Sequence, residues 1–242
     1  MARIFLAGAS GLIGQQLVPM LVRAGHHVTG TTRSEGKTKL LRALGATPAV
    51  VDAFDAEALR RLVVASEPEV VIHQLTHLPD DLLSLDKAGL ERAIHDNARI
   101  RSEGTPNLVA AARAAGARRL VAQSILWIYA PGREPHVETD PIDTGATGLA
   151  AITVKGTVAL EQAVLGATPL TSVVLRYGYL YGPGTTRDAP SKQPAVHVAA
   201  AARAALLAVD RGNGIYNVAE PSTYASSDRA RHDLGWDPAS RG

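Results

Sequence analysis

Short runs of apolar, often β-branched residues alternate along the chain with longer stretches in which apolar positions recur at helical spacing. This alternation is typical of βαβ units, in which parallel strands are covered by helices on both faces. Six strands are predicted: Arg3–Ala7, Val28–Thr32, Thr47–Val51, Glu69–Gln74, Arg118–Ala122 and Thr171–Arg176. The pattern therefore predicts an α/β protein with a doubly wound parallel sheet.

The longest helical stretch runs from Leu85 to Ala115, and Pro106 inside it is expected to bend or split the helix. After the sixth strand the chain becomes rich in Gly and Pro, which marks a change of organisation near Gly184. We predict a large domain over residues 1–183 and a small C-terminal substrate-binding or lid lobe over residues 184–242. The lobe is expected to contain a helix over Val196–Val209, a strand over Gly214–Val218 and a closing segment at Leu234–Trp236.

Composition narrows the class of protein. Hydrophobic residues make up 46% of the chain and charged residues 20%, as in folded globular proteins, and the net charge of +2 argues against a nucleic-acid partner. The chain has no cysteine, which excludes disulfides and thiolate metal sites and fits a cytoplasmic location. Neither a signal peptide nor a membrane span is expected. The eight histidines lack the spacing of metal ligands, and Asp80 and Asp81 are interpreted as loop charges or helix caps.

Three glycines follow the first strand at the spacing GxxGxxG: Gly8, Gly11 and Gly14. Gly8 permits a tight turn, Gly11 lets backbone amides approach a pyrophosphate, and Gly14 lets the next helix pack closely on the sheet. The N-terminus of that helix would then face the anion. The pattern predicts a dinucleotide-binding Rossmann fold, and a glycine-rich turn without a ligand is the alternative. The expected cofactor contacts in this loop are Gly8, Ser10, Gly11, Leu12 and Ile13.

Arg33 and Ser34 follow the second predicted strand, where domains specific for NAD carry an acidic residue that binds the ribose hydroxyls. A guanidinium instead matches a 2′-phosphate, with Ser34 as a second donor. The sequence therefore predicts NADP(H) as the cofactor, unless Arg33 is a solvent-exposed loop residue. Asp52 and Ala53 follow the third strand and are expected to meet the adenine ring, although Asp52 could equally cap the following helix.

Further segments resemble the extended and atypical short-chain dehydrogenase/reductases, a superfamily that includes nucleotide-sugar epimerases and dehydratases. The resemblance covers nearly the whole chain and rests on the glycine loop, Val71–Thr76, Asn97, Gln123-Ser124, Leu175–Pro183 and Leu234–Trp236. It implies that Leu75, Thr76 and Gln123 lie along the cofactor and that a homodimer forms through the long helices of Leu85–Ala115. It also implies that Tyr177, Gly178, Tyr179 and Leu180 line the nicotinamide, and packing at the sheet edge is the alternative for each.

The chemistry of this superfamily depends on a Tyr-x-x-x-Lys pair on one helix face, where the lysine lowers the pKa of the tyrosine. In this chain Lys155 is present, but Ala151 occupies the tyrosine position. Lys155 is expected to hold the nicotinamide ribose or to be a solvated surface lysine. The family's serine falls on Ile125, with Ser124 one residue early. Ser124 and Tyr129 are therefore the catalytic candidates, and the proton donor is left open.

Apolar and aromatic side chains follow the fifth strand, which favours an aromatic small-molecule substrate. The substrate-binding candidates are Ser124, Ile125, Trp127, Tyr129 and Tyr181. The composition of Gly182–Pro194 is typical of a lid or of an idle surface loop. Within the superfamily the chain resembles the atypical reductases of aromatic polyketide antibiotic biosynthesis, which implies an NADPH-dependent ketoreductase whose substrate supplies the proton. A non-catalytic NADP(H) sensor and a nucleotide-sugar epimerase or dehydratase are the alternative functions.

Overall fold

A computed structural model describes residues 1–79, 84–190 and 193–241. The strands in these residues are β1 (Arg3–Ala7), β2 (His27–Thr32), β3 (Thr47–Val50), β4 (Val70–His73), β5 (Arg119–Ile125), β6 (Thr171–Tyr177), β7 (Tyr179–Tyr181), β8 (Ala195–His197) and β9 (Gly214–Val218). Seven of them form one parallel sheet in the order β3-β2-β1-β4-β5-β6-β9, and β7 pairs with β8 separately. The winding reverses between β1 and β4, which confirms the predicted Rossmann fold.

β5 differs most from its prediction. It continues to Ile125, so Gln123, Ser124 and Ile125 belong to the strand and not to the loop that follows it. Ser124 lies opposite Arg176 of β6, and Ile125 lies opposite Tyr177. The prediction ended too early because the polar residues at positions 123 and 124 interrupt the apolar pattern. In the structure the pairing with β6 extends the strand through them.

The α-helices of the described residues are α1 (Leu12–Arg23), α2 (Thr38–Ala43), α3 (Ala56–Ala65), α4 (Lys87–Arg99), α5 (Thr105–Ala114), α6 (Gly148–Leu165) and α7 (Val198–Leu207). The predicted long helix is split into α4 and α5 by a π-helical turn over Ile100–Gly104. Pro106 lies in the first turn of α5, where its missing N–H costs no hydrogen bond. α4 begins later than predicted, because Asp86 caps it by accepting a 2.7 Å hydrogen bond from the Gly89 amide.

Helices cover both faces of the sheet. α1 and α7 pack together on one face, over a core that includes Ile4, Leu6 and Ile72. α3, α5 and α6 cover the other face, where Leu160 and Val164 of α6 are fully or almost fully buried. By length and composition alone α6 could cross a membrane. Its buried face against β5 and β6 identifies it as a core helix of this fold.

The C-terminal elements are joined to the large sheet. β9 is its edge strand beside β6, α7 packs along α1, and the buried Trp236 donates its indole N–H to the Ala200 carbonyl of α7 at 2.8 Å. The helix and the strand assigned to the C-terminal lobe therefore lie in the layers of the first domain, while the boundary at Gly184 stays a prediction. Asp80, Asp81 and two residues of the predicted lid, Ser191 and Lys192, lie outside the described residues.

Candidate functional site

The glycine loop between β1 and α1 forms a cradle that only glycine permits. Gly8 has φ +84°, and a Cβ atom there would lie 2.5 Å from the Gln74 carbonyl oxygen. A Cβ atom on Gly14 would lie 2.4 Å from the Gly8 carbonyl oxygen. α1 begins directly after Gly11, without a side-chain cap and without an acidic residue in its first turn. Its first backbone amides are therefore available to an anion, and the loop fits a pyrophosphate.

The neighbouring loop positions have different roles. The Ser10 hydroxyl donates to Thr32 Oγ1 at 3.1 Å, which ties the loop to the end of β2. Leu12 is exposed, whereas Ile13 is buried in the core. The side chain of Ile13 therefore cannot reach a ligand, and this residue can contribute only its backbone amide.

The end of β2 presents Arg33 and Ser34, and both side chains are exposed. One guanidinium nitrogen of Arg33, Nη1, lies 3.3 Å from each ring nitrogen of His77 in the loop after β4. Asp52 accepts a 2.9 Å hydrogen bond from the Phe54 amide, and the cap of α3 is Asp55. Of the two roles left open for Asp52, helix capping is therefore wrong.

The ends of β4 and β5 are fixed to each other beside the cradle. Gln123 Nε2 donates to the Leu75 carbonyl at 2.8 Å, and the His77 amide donates to Asn97 Oδ1 at 2.9 Å. Thr76 between them is exposed. These bonds fix the backbone of the loop after β4 at the sheet edge, where the resemblance implies the ribose and pyrophosphate contacts.

A buried ion pair lies behind the candidate catalytic residues. Arg176 donates to both carboxylate oxygens of Glu161, at 2.9 and 2.7 Å, and the Ser124 hydroxyl donates to Glu161 Oε1 at 2.6 Å. Arg176 also donates to the Tyr129 hydroxyl at 2.8 Å, and that hydroxyl donates to Asn217 Oδ1 at 2.6 Å. The hydroxyl groups of Ser124 and Tyr129 therefore both donate their hydrogen bonds to other protein side chains. We name these five residues the Glu161 network.

Burial shapes the protonation states in this network. Burial disfavours the charged form of Arg176, but the bonds to Glu161 outweigh it and raise the pKa of the guanidinium above its usual range. Burial also raises the pKa of the Tyr129 hydroxyl, against the lowering effects of Arg176 and Asn217. Tyr129 is thus a weaker acid than a free tyrosine.

Sequence reasoning assigned no role to Glu161, Arg176 or Asn217. The available signal was the position of the first two, since Arg176 interrupts an apolar strand and Glu161 an apolar helix. A charge in such a position needs a partner.

α6 carries both positions of the expected Tyr-x-x-x-Lys pair, of which only the lysine is present. Ala151 is half-buried and Lys155 is exposed, and in the part of the chain that the structure describes the ammonium group of Lys155 makes no hydrogen bond or ion pair. Ile125, at the family's serine position, packs with Ile128 and Val154 in an apolar cluster. A nicotinamide ribose contact from Lys155 stays a prediction.

Aromatic side chains gather after β5 and β6. Trp127 and Tyr179 are stacked, with ring centroids 4.0 Å apart and an interplanar angle of 7°, and both are half-buried. We name this pair the aromatic wall. Tyr181 donates its hydroxyl to Glu220 and receives a 3.1 Å hydrogen bond from Arg241. The wall joins a predicted substrate residue to a predicted nicotinamide residue.

The other predicted nicotinamide residues pack against neighbouring parts of the protein, and their contact with a nicotinamide stays a prediction. Tyr177 is buried among apolar side chains, and burial raises the pKa of its hydroxyl. A Cβ atom on Gly178 would lie 2.7 Å from the Pro194 carbonyl oxygen, so the glycine allows β8 to approach. Leu180 is half-buried and packs against the core. Among the described residues, no group of three or more His, Asp or Glu side chains is arranged to hold a metal ion.

Comparisons with known proteins agree with this geometry. The model of the NAD-dependent epimerase/dehydratase family matches residues 4–218. The chain is 46% identical over 187 residues to the 3-diazoavenalumate denitrifying reductase of a Streptomyces species, covering 76% of this chain and 58% of that protein. It is 28% identical over 236 residues to the 4-hydroxy-2-methyl-3-oxo-4-farnesyl-3,4-dihydroquinoline-1-oxide ketoreductase of Stigmatella aurantiaca, covering 88% and 66%.

The solved UDP-glucose 4-epimerase of Thermus thermophilus in complex with NAD superposes with a TM-score of 0.75 at 20% identity, covering 98% of this chain and 94% of that one. This similarity is one of fold. The chain spans 58% of the length of the Streptomyces reductase and 66% of the Stigmatella enzyme, so it corresponds to part of each.

Proposed function

Because this chain belongs to the NAD-dependent epimerase/dehydratase family, we propose that it is an NADPH-dependent ketoreductase acting on a planar, aromatic polyketide substrate. A hydroxyl beside the reacting carbonyl supplies the proton. The observation that carries the proposal is that Ala151 stands at the tyrosine position while Ser124 and Tyr129 hold their protons within the Glu161 network.

The residues present fit a dinucleotide. The Gly8–Gly14 loop would hold the pyrophosphate, because its glycines allow the close backbone turn and the first amides of α1 have no side-chain cap. Arg33 would hold the 2′-phosphate, and Leu75 and Thr76 would flank the ribose. When bound, the reduced nicotinamide supplies a hydride. The chain then has to orient the acceptor and exclude water.

Ser124 and Tyr129 donate their hydroxyl protons to other protein groups, so the proposal assigns the proton to the substrate. Reduction of a ketone forms one C–H and one O–H bond, so it consumes a hydride and a proton. A phenol hydrogen-bonded to the carbonyl already places a proton at that oxygen, and water restores it afterwards. Since a positioned acid is worth about 10²–10⁴-fold in rate, a substrate with such a phenol would compensate for Ala151.

The aromatic wall supports a flat substrate. Trp127 and Tyr179 lie parallel and are partly exposed, so a planar ring system can bury its face or edge against them. Trp127 and the partly buried Ile142 pack against an apolar cluster that contains the buried Val154.

A pair of matched substrates tests the proton source. We expect a hydroxylated anthraquinone to oxidise NADPH, followed at 340 nm, and its O-methyl ether to react about 10²–10⁴-fold more slowly in kcat/KM. Ser124→Ala should retain turnover, with NADPH binding by calorimetry as the control for folding. Equal rates for the phenol and the ether would contradict the substrate as the proton source, and loss of turnover in Ser124→Ala with binding intact would assign the proton transfer to Ser124. NADPH binding without reduction of any acceptor would favour a sensor.

An aromatic diazo group is a second candidate acceptor. The similarity to the 3-diazoavenalumate denitrifying reductase favours it, and so does Ala151. An aryl diazonium ion that accepts a hydride and loses N₂ exchanges its C–N bond for a C–H bond, with no net uptake of a proton. Such a reaction needs no catalytic tyrosine.

The two acceptors are separated by giving the protein a phenolic ring that carries either a ketone or a diazo group. With NADPH deuterated at the transferred position, reduction of the ketone yields a deuterated alcohol. Removal of the diazo group yields a deuterated arene and one N₂ for each NADPH oxidised. The acceptor with the larger kcat/KM identifies the function, and activity with neither contradicts both.

A further inference from the structure

Arg33 and His77 meet across the opening of the cradle. Arg33 follows β2 and His77 follows β4, the two strands that flank β1 in the sheet. The glycine loop leaves the end of β1 between them. The contact of 3.3 Å from Arg33 Nη1 to both imidazole nitrogens therefore lies beside the loop that receives the pyrophosphate.

We propose that His77 is a specificity-determining residue for the cofactor, and that it binds the 2′-phosphate of NADPH together with Arg33. This inference rests on the NADP(H) preference stated under the proposed function. It adds a residue from the loop after β4 to the 2′-phosphate site that the proposed function assigns to Arg33.

The charge around Arg33 is unbalanced. Its guanidinium forms no ion pair in the described part of the chain and instead faces an imidazole. A neutral imidazole can accept one N–H of this guanidinium, and a phosphate beside the pair would accept hydrogen bonds from the other N–H groups of Arg33 and from the imidazole N–H. The arginine supplies charge and a fork of donors, and the imidazole N–H supplies one further donor.

His77 is also held in place before any ligand arrives. Its backbone amide donates to Asn97 Oδ1 at 2.9 Å, and Asn97 is buried in α4. The imidazole itself is half-buried. The backbone that carries the imidazole is therefore fixed before binding, which lowers the entropy cost of placing this side chain against a phosphate.

Binding measurements without turnover test the proposal. Dissociation constants for NADPH, NADH, adenosine 2′,5′-bisphosphate and 5′-AMP are measured by calorimetry for the wild type, Arg33→Ala, His77→Ala and the double variant. We expect His77→Ala to weaken the two 2′-phosphate ligands by about tenfold, since a hydrogen bond to a charged group is involved. NADH and 5′-AMP should change by less than about twofold, which also shows that the variant is folded.

Two further variants sharpen the result. His77→Gln keeps an N–H donor and should retain part of the preference, whereas His27→Ala removes an exposed histidine from the opposite end of β2 and should have no effect. If His77→Ala weakens NADH as much as NADPH, or weakens neither, the inference is wrong. If the wild type itself binds NADH and NADPH equally, the cofactor preference under the proposed function is wrong as well.

Discussion

Replacement of Glu161 should destabilise the fold severely, because this carboxylate neutralises a buried guanidinium. The side chains of Arg176 and Glu161 are only 2% and 5% exposed, and two hydrogen bonds join them. Removal of one partner of such a pair costs about 3–5 kcal/mol, since the other charge is left without compensation. Typical domains have only about 5–15 kcal/mol of stability in total.

A second cation adds to this effect. Arg101 is also buried, and it donates to Thr157 Oγ1 at 2.9 Å. Burial lowers the pKa of Arg101 to about 10, and the nearby charge of Glu161 opposes that shift. Glu161→Leu therefore leaves two buried guanidinium groups without a carboxylate, and we expect a loss of about 4–5 kcal/mol. Glu161→Gln keeps a hydrogen-bond acceptor and should lie near 3 kcal/mol.

Urea denaturation followed by circular dichroism measures these changes, with the slope m checked for constancy. The matched control is Glu57→Gln, which breaks an exposed 3.0 Å pair with Arg60 and should leave the free energy of unfolding nearly unchanged. The double variant Glu161→Leu with Arg176→Met should recover a large part of the loss, because no charge then stays unpaired. A cost for Glu161→Leu as small as that of Glu57→Gln would refute the reasoning.

Further expectations concern the cradle, the wall and a buried histidine. Gly14→Ala should abolish NADPH binding by calorimetry, because its Cβ would lie 2.4 Å from the Gly8 carbonyl oxygen; a Kd within threefold of wild type contradicts this. Trp127→Ala should raise KM for the aromatic acceptor about tenfold, consistent with a stacking contact, while Trp127→Phe preserves it and NADPH affinity stays unchanged. Burial lowers the pKa of His73 from 6.5 to about 4, so the unfolded chain binds this proton first. The contribution of neutral His73 to the free energy of unfolding should therefore be fully present above pH 6.5. The free energy of unfolding should fall by about 3 kcal/mol as the pH is lowered towards 4, and it should fall less in His73→Gln.

The strands could be predicted because parallel strands buried on both faces have continuous apolar sequences. That signal fails at the end of β5. Gln123 and Ser124 are polar, yet both residues still pair with β6. The break near Pro106 was predictable from the missing N–H of proline. The form that the break takes, a π-helical turn over Ile100–Gly104, was not predicted.

The same distinction applies to the site. The glycine loop could be recognised because its steric requirements are local to a few residues. The Glu161 network joins α6 to the three neighbouring strands β5, β6 and β9 and to the loop that carries Tyr129, so its partners are set by how these elements pack together. The contact between Arg33 and His77 likewise depends on strand order, since β1 separates their strands.

The Glu161 network also changes the meaning of Ala151. If Ser124 were free, the missing tyrosine could be replaced by a serine that relays a proton from water. A serine that donates to a buried carboxylate at 2.6 Å would have to break a charge-assisted hydrogen bond first. Under the proposed function we therefore expect acceptors that need no acid from Ser124, whether a ketone with its own phenol or a diazo group that leaves as N₂. Selection among acceptors then depends on the aromatic wall, which makes Trp127 a more informative position for substrate range than any hydroxyl group in the network.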